Sequence, residues 1–283
     1  MPITFTLDLE DHRVGTPAPV RCARPTHDVL RWLDQHGARG TFFVVATLAH
    51  EAPELIRAVA DAGHEVALHA LHHVPIAETG EARFLPELRE GKAILEDLTG
   101  RPVVGYRAPI FSLTAQTPWA PAALTEAGFT YSSSVLPANN PLHGLAGAPR
   151  TPFRWADGPV ELPCPVFGRG SATVPFLGGV YLRYLPMPIV EFVARRAGRT
   201  PAGWAYTHPY DFDTEEPFEV LPHAGYVTSR IVHHRRRGTL KRVDRVIAAG
   251  GGFGPPLAEL AASLPVDRLP TYSIEPGAPA APR

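Results

Sequence analysis

"GTFFVV", residues 40–45, is an uninterrupted apolar run of strand length. A strand with one wet face alternates polar and apolar residues, so a run without alternation has both faces covered. Strands covered on both sides belong to parallel sheets flanked by helices. The neighbours agree. Before it, "THDVLRWLDQHG" (26–37) places Val29, Leu30 and Leu33 at helical spacing, with Thr26 as expected N-cap and Gly37 as stop. After it come a helix in "APELIRAVADAGH" (52–64) and a strand in "EVALH" (65–69).

The alternation continues in both directions. "ITFTLDL" (3–9) is β-branched and aromatic and ends in carboxylates. "EARFLPELREGKAILEDLTG" (81–100) is a long helical pattern stopped at Gly100, and "PVVGYRAP" (102–109) is the next strand. "TPWAPAALTEAGF" (117–129) and "TYSSSV" (130–135) add another helix and strand. Later come "PVELP" (159–163), the helix "MPIVEFVARRAG" (187–198), the strand "GWAYTHP" (203–209) and the helix "GTLKRVDRVIAAG" (238–250). Repeated strand–helix units give an α/β fold with a parallel sheet, open or closed into a barrel.

Composition bounds the function. The chain has 283 residues, 45% hydrophobic and 19% charged, with formal net charge −1. That charge provides no global field to attract nucleic acid or an acidic membrane. No apolar run approaches the roughly 20 residues of a membrane span, and no export signal is visible at the N-terminus, so the expected location is cytoplasmic. Cys22 and Cys164 read as buried free thiols, with one disulfide left open.

Reactive residues collect where strands end: Asp8, Glu10 and Asp11, then His69, then Arg107, then His208. In parallel α/β folds those ends converge on one face, which holds the site. In "HALHH" (69–73), His69 and His73 are spaced to reach one ion if the chain turns helically there, whereas His72 points elsewhere. Imidazole suits zinc, cobalt or nickel, and a carboxylate completes a facial triad with open positions. The three acids of "DLED" (8–11) can divide into one ligand and one general base. Arg107 can hold a carboxylate in fixed geometry, and His208 suits a general acid. Each motif alone is equally read as an ordinary surface or strand-end residue. "RIVHHRRRGTLKR" (230–242) reads as a solvated basic run or an anion contact.

This ordered set, with "GHEVALHALHH", "LEDLTGRPVVGYRAPIFSLT", "YSSSVLP", "GGVYLRYLP" and "YTHPYDFD", resembles the polysaccharide deacetylases of the NodB-homology type, carbohydrate esterase family 4, and in particular their exosortase-associated subgroup. The resemblance spans roughly residues 3–245 and implies a distorted (β/α) barrel of about seven parallel strands. It implies one domain over 1–270; by composition, the proline-rich stretch near 137–165 reads as an excursion and the tail over 271–283 as flexible. It implies one divalent metal, usually zinc with cobalt, nickel or manganese as alternatives, and hydrolysis of the N-acetyl group of an amino sugar or glycan.

Carried onto this chain, Asp8 matches the base, His69 and His73 the histidine ligands, Arg107 the residue that positions the base, and His208 the acid. The family's adjacent aspartates are spread here, so either Glu10 or Asp11 is the carboxylate ligand. Pro109, Tyr181 and Arg183 are candidate substrate contacts. Where the subgroup has "HGYxH", Ala70 and Leu71 stand here and are expected to bear on pocket shape. A non-sugar amidohydrolase of allantoinase-like or deformylating type, or an inactive carbohydrate-binding relative, shares the same pattern. Oligomeric state is left open.

Overall fold

The computed structural model describes residues 2–11, 20–139, 143–170, 173–220 and 225–274. Its first half runs β1 (Ile3–Leu9), α1 (Ala23–Gln35), β2 (Thr41–Val44), α2 (Leu48–Glu51), α3 (Pro53–Asp61), β3 (Glu65–Leu68), α4 (Ile76–Thr79), α5 (Glu81–Thr99), β4 (Gly105–Tyr106), α6 (Ala120–Glu126) and β5 (Tyr131–Ser132). The second half runs β6 (Phe153–Trp155), β7 (Val160–Glu161), β8 (Val166–Phe167), β9 (Val174–Pro175), α7 (Gly179–Tyr184), α8 (Met187–Ala197), β10 (Gly203–Thr207), α9 (Gly225–His233), α10 (Thr239–Gly250), α11 (Leu257–Ser263) and β11 (Thr271–Tyr272).

Nine strands form one sheet in the order β10-β1-β2-β3-β4-β5-β7-β6-β11. From β10 through β7 every neighbouring pair is parallel. Those are seven strands, the number expected, in an α/β fold whose sheet is mostly parallel. The ladder among the described residues is an open sheet, with β6 antiparallel to β7 and β11 parallel to β6.

Two apolar clusters explain why "GTFFVV" lacks alternation. Phe42 and Val44 join the layer between sheet and helices, with Ile3, Phe5, Leu7 and Leu9 of β1. Phe43 joins an inner cluster with Ala67, Tyr131, Val160, Trp204 and Tyr206. The remaining β1 residues, Thr4, Thr6 and Asp8, are buried as well, so this strand puts apolar residues outward and polar ones inward. Helix α11 plugs the N-terminal ends of the strands: Leu257, Leu260, Ala261 and Leu264 enter the inner cluster. Its first amides donate to Thr41 Oγ1 (2.8 Å) and Glu65 Oε2 (2.9 Å). The opposite, C-terminal strand ends are left for the site.

Helix α1 begins at Ala23 rather than after Thr26, and Thr26 Oγ1 instead donates back to Cys22 O within its first turn. The stretch 137–165 is not wholly an excursion, because it contains β6 and β7. Residues 140–142 of it lie outside the described residues. Of the expected tail, Thr271 and Tyr272 pair with Arg154 and Trp155, and 275–283 lie outside the described residues. Both cysteines are buried free thiols.

On the outer edge of β10, Gly178 forms a parallel bridge with Tyr206. A Cβ on Gly178 sits 2.0 Å from the Tyr206 carbonyl oxygen and 2.5 Å from its ring. Because the obstacle is backbone, Gly178→Ala lowers unfolding free energy by roughly 1–3 kcal/mol, read as a shifted denaturant midpoint.

Candidate active site

Asp8 lies in β1, Glu10 just past it, His69 directly after β3, Arg107 directly after β4 and His208 directly after β10. All five therefore meet at the C-terminal ends of adjacent parallel strands. Arg107 is fully buried, between the rings of Phe43 (3.9 Å to the centroid) and Trp204 (4.3 Å). Burying a guanidinium is costly unless its donors are used. Here Nη1 donates to Asp8 Oδ1 (2.5 Å) and Thr6 Oγ1 (2.8 Å), Nη2 to Ser133 Oγ (3.0 Å) and Nε to Ser133 O (3.3 Å). Asp8 is thereby fixed through one oxygen, and its Oδ2 lies 3.9 Å from His208 Nε2. That is too long for a direct hydrogen bond.

Beside this pair, Glu10, His69 and His73 bring three ligand atoms within 4.8 Å of one another. His73 Nε2 is 2.5 Å and His69 Nε2 4.0 Å from Glu10 Oε2. The other ring nitrogen of His69 contacts Arg107 O at 2.9 Å, a bond in which Nδ1–H donates and Nε2 keeps its lone pair toward Glu10. Burial pulls the His69 pKa down to about 4, keeping the ring neutral. Burial would raise the Glu10 carboxyl, but the charge and hydrogen bond of His73 outweigh it and hold Glu10 well below the carboxylate range. Burial opposes protonation of His73, and Glu10 reverses that and raises its pKa.

Asp11, the other candidate ligand, is not one of these three. Its Oδ2 accepts the backbone N–H of Arg21 (2.6 Å) and Cys22 (3.2 Å), tying the strand's exit to the start of α1. Ala70 and Leu71 are buried in the outer core, with Ala70 left-handed at φ 65°. They form part of the turn that presents the histidines. His72 is exposed.

His208 is held from behind. Asp211 Oδ2 accepts from its backbone N–H (2.9 Å) and lies 3.1 Å from its Nδ1. Asp211 in turn pairs with Arg183 Nε at 3.0 Å. Burial opposes a charged His208, but the hydrogen bond and charge of Asp211 prevail and push its pKa up to about 9. Tyr210 stacks on the imidazole at 4.6 Å and 10°. Arg183, expected to touch substrate, is buried at 2% exposure and donates to the Val232 and His234 carbonyls. It has no surface to offer a ligand and acts behind Asp211. Tyr181 is half-buried on α7, and Pro109 is buried at the head of the "RAP" turn.

Sequence reasoning missed Asp211, Thr6 and Ser133. For Asp211 a signal existed, since an acid three residues after His208 across a proline is a capping pattern.

After Pro109, Ile110 and Phe111 both have positive φ, 49° and 55°. A β-branched residue there is strained, and Ile110 is also 41% exposed. Ile110→Asn is expected to stabilise the fold by about 1 kcal/mol, seen in denaturant unfolding, because asparagine tolerates that backbone.

Comparison with known proteins gives the chain's relatives. Residues 18–132 match the family model "Polysaccharide deacetylase", and residues 133–251 match a domain of unknown function, DUF3473. Over 63 residues, 22% of this chain and 29% of the relative, the sequence is 41% identical to a chitooligosaccharide deacetylase of Bradyrhizobium sp. (strain ANU 289). Over 106 residues it is 26% identical to a peptidoglycan-N-acetylglucosamine deacetylase of Bacillus cereus, covering 37% of this chain and 38% of that one. The chain thus spans about a third of the length of these curated relatives.

A structure from Mycobacterium smegmatis described as a polysaccharide deacetylase superposes over 100% of this chain and 95% of its own, with TM-score 0.63 and 22% identity. Puue allantoinase does so over 92% and 88%, with TM-score 0.58 and 14% identity. These two likenesses concern the fold. Residues 18–132 thus carry the polysaccharide deacetylase match and residues 133–251 the DUF3473 match, and the proteins this chain is similar to include homologues of carbohydrate esterase family 4.

Proposed function

We propose that this protein is a metal-dependent hydrolase that removes an N-acetyl group from an amino sugar or an amino-sugar-containing glycan or precursor. The observation that carries the reading is the meeting of three groups at one end of the sheet: Glu10 with His69 and His73, Asp8 with Arg107, and His208 with Asp211. The donor chemistry fits a divalent ion. Two imidazoles and a carboxylate face one another, and one imidazole has its second nitrogen engaged. Zinc, bound there, supplies Lewis-acid activation of water and of the acyl carbonyl.

The protein's own residues supply the proton transfers. Asp8, held by Arg107, accepts the proton of the attacking water. His208, kept protonated by Asp211, gives a proton to the departing amine. Arg183 holds Asp211 in place from behind. The DUF3473 match fits the exosortase-associated subgroup, and the deacetylase relatives support a glycan over a small amide. One domain over roughly residues 1–270 is part of the reading, since β10, from the DUF3473 stretch, pairs with β1.

The test is elemental analysis of the purified protein together with mass spectrometry of chitooligosaccharides, peptidoglycan fragments and small amides. Loss of acetyl from the glycans, abolished by a chelator and restored by zinc, is the expected result. Turnover of the small amides alone overturns the substrate class.

A further inference from the structure

At the other end of β10 lies a groove of about 480 Å³, between the β8–β9 hairpin and the C-terminal half of α8. This is within the size range of ligand sites. It is separate from the candidate active site. The groove reaches Ala202, just before β10, while His208 follows the strand's far end. Six residues of extended chain put them roughly 20 Å apart.

Four guanidiniums line the groove, those of Arg150, Arg195, Arg196 and Arg199, and no acidic residue does. Among the described residues no carboxylate pairs with any of them. Some arginines elsewhere are matched: Arg245 lies 2.6 Å from Glu191 of the same α8, and Arg21 2.6 Å from Asp213. The dipole of α8 favours Arg195 and Arg196 in its last turn. It does not account for Arg150, which arrives from a distant stretch of the chain. Arg150 is oriented by bonds from Nη1 to Gly168 O (2.7 Å) and from Nη2 to Thr173 Oγ1 (2.9 Å).

The walls are aromatic. Phe167 meets Phe192 edge-on at 6.0 Å, and Phe192 is 46% exposed, with Arg196 over its ring at 5.6 Å. Guanidinium forks recognise carboxylate or phosphate, and an open aromatic face offers a platform for an apolar ring face. We propose that this groove is a second binding site, which takes an acidic saccharide by seating a sugar ring against Phe192 and its anionic group on the arginines. The inference goes beyond the hydrolase reading and does not need it, because its readout is binding.

The experiment is isothermal titration calorimetry with a short oligogalacturonate, a neutral chitooligosaccharide and inorganic phosphate. The oligogalacturonate binds the wild type. Arg196→Gln/Arg199→Gln weakens it roughly tenfold or more with Tm unchanged, because both side chains are exposed, and Phe192→Ala weakens it several-fold. His73→Ala, in the other site, leaves this binding intact. No binding of the oligogalacturonate, equal binding by the groove variants, or loss in His73→Ala overturns the proposal. Phosphate binding as tight and indifferent to Phe192→Ala reduces the groove to a plain anion site and overturns the saccharide assignment.

Discussion

Substituting alanine for His73 strips the protein of bound metal and lowers kcat/KM on an N-acetylated glycan by on the order of a thousandfold, about 4 kcal/mol of transition-state stabilisation. His69→Ala does the same, but it also empties a buried position, so His73, whose side chain is 38% exposed, is the cleaner variant. Glu10→Gln keeps shape and removes the charge, and is expected to weaken metal retention without unfolding the chain.

The same three side chains predict how metal uptake depends on pH. Ligands must be deprotonated to bind. His69 is already neutral, and Glu10 is already ionised. His73 is the group whose proton must leave, because Glu10 raises its pKa. Metal affinity therefore falls as pH drops through the titration of His73, with about one proton released per ion bound near that pH. Calorimetric titration in buffers of different ionisation enthalpy measures this. Metal content and activity that survive His73→Ala would remove the ion from this cluster.

How much of this was legible in the sequence depends on the range of the interaction involved. The two-faced burial of "GTFFVV" was legible because the absence of alternation is local, and so was the stop at Gly100, which has φ 65°. His69 and His73 do come together, but through a bend with Ala70 left-handed rather than through the helical turn expected. The choice between Glu10 and Asp11 was not. Strand alternation ends at Leu9, and Asp11 is captured by two amides of residues 21 and 22 that only the fold brings near. Arg183 looked like a surface contact because its burial is tertiary. Strand β6 was hidden because a three-residue strand in a proline-rich stretch carries no periodicity, whereas β7 falls within "PVELP". The boundary at residue 132 between the two family matches is likewise invisible in three dimensions, since β10 and His208, from the second stretch, complete the face that Asp8 and His69 begin.

That division makes His208 the decisive residue of the second stretch. His208→Ala is expected to lower kcat by roughly 10²- to 10⁴-fold, the usual contribution of a positioned acid, while leaving bound metal in place. The pH profile tests the role more sharply than the loss. An acid works only while protonated, and Asp211 pushes the His208 pKa up to about 9, so kcat holds through neutral pH and declines as pH rises through about 9. Asp211→Asn removes the charge that raises this pKa while burial, which lowers it, remains. The alkaline limb then moves to lower pH, and activity at pH 8 suffers far more than activity at pH 6. The sign follows from which form is favoured: Asp211 stabilises the imidazolium, so its loss exposes the opposing effect of burial. Arg183→Met, which leaves Asp211 ionised without its buried partner, shifts the limb less but lowers stability. An Asp211→Asn profile that overlays the wild type would show that His208 does not donate the proton, whatever its own substitution costs.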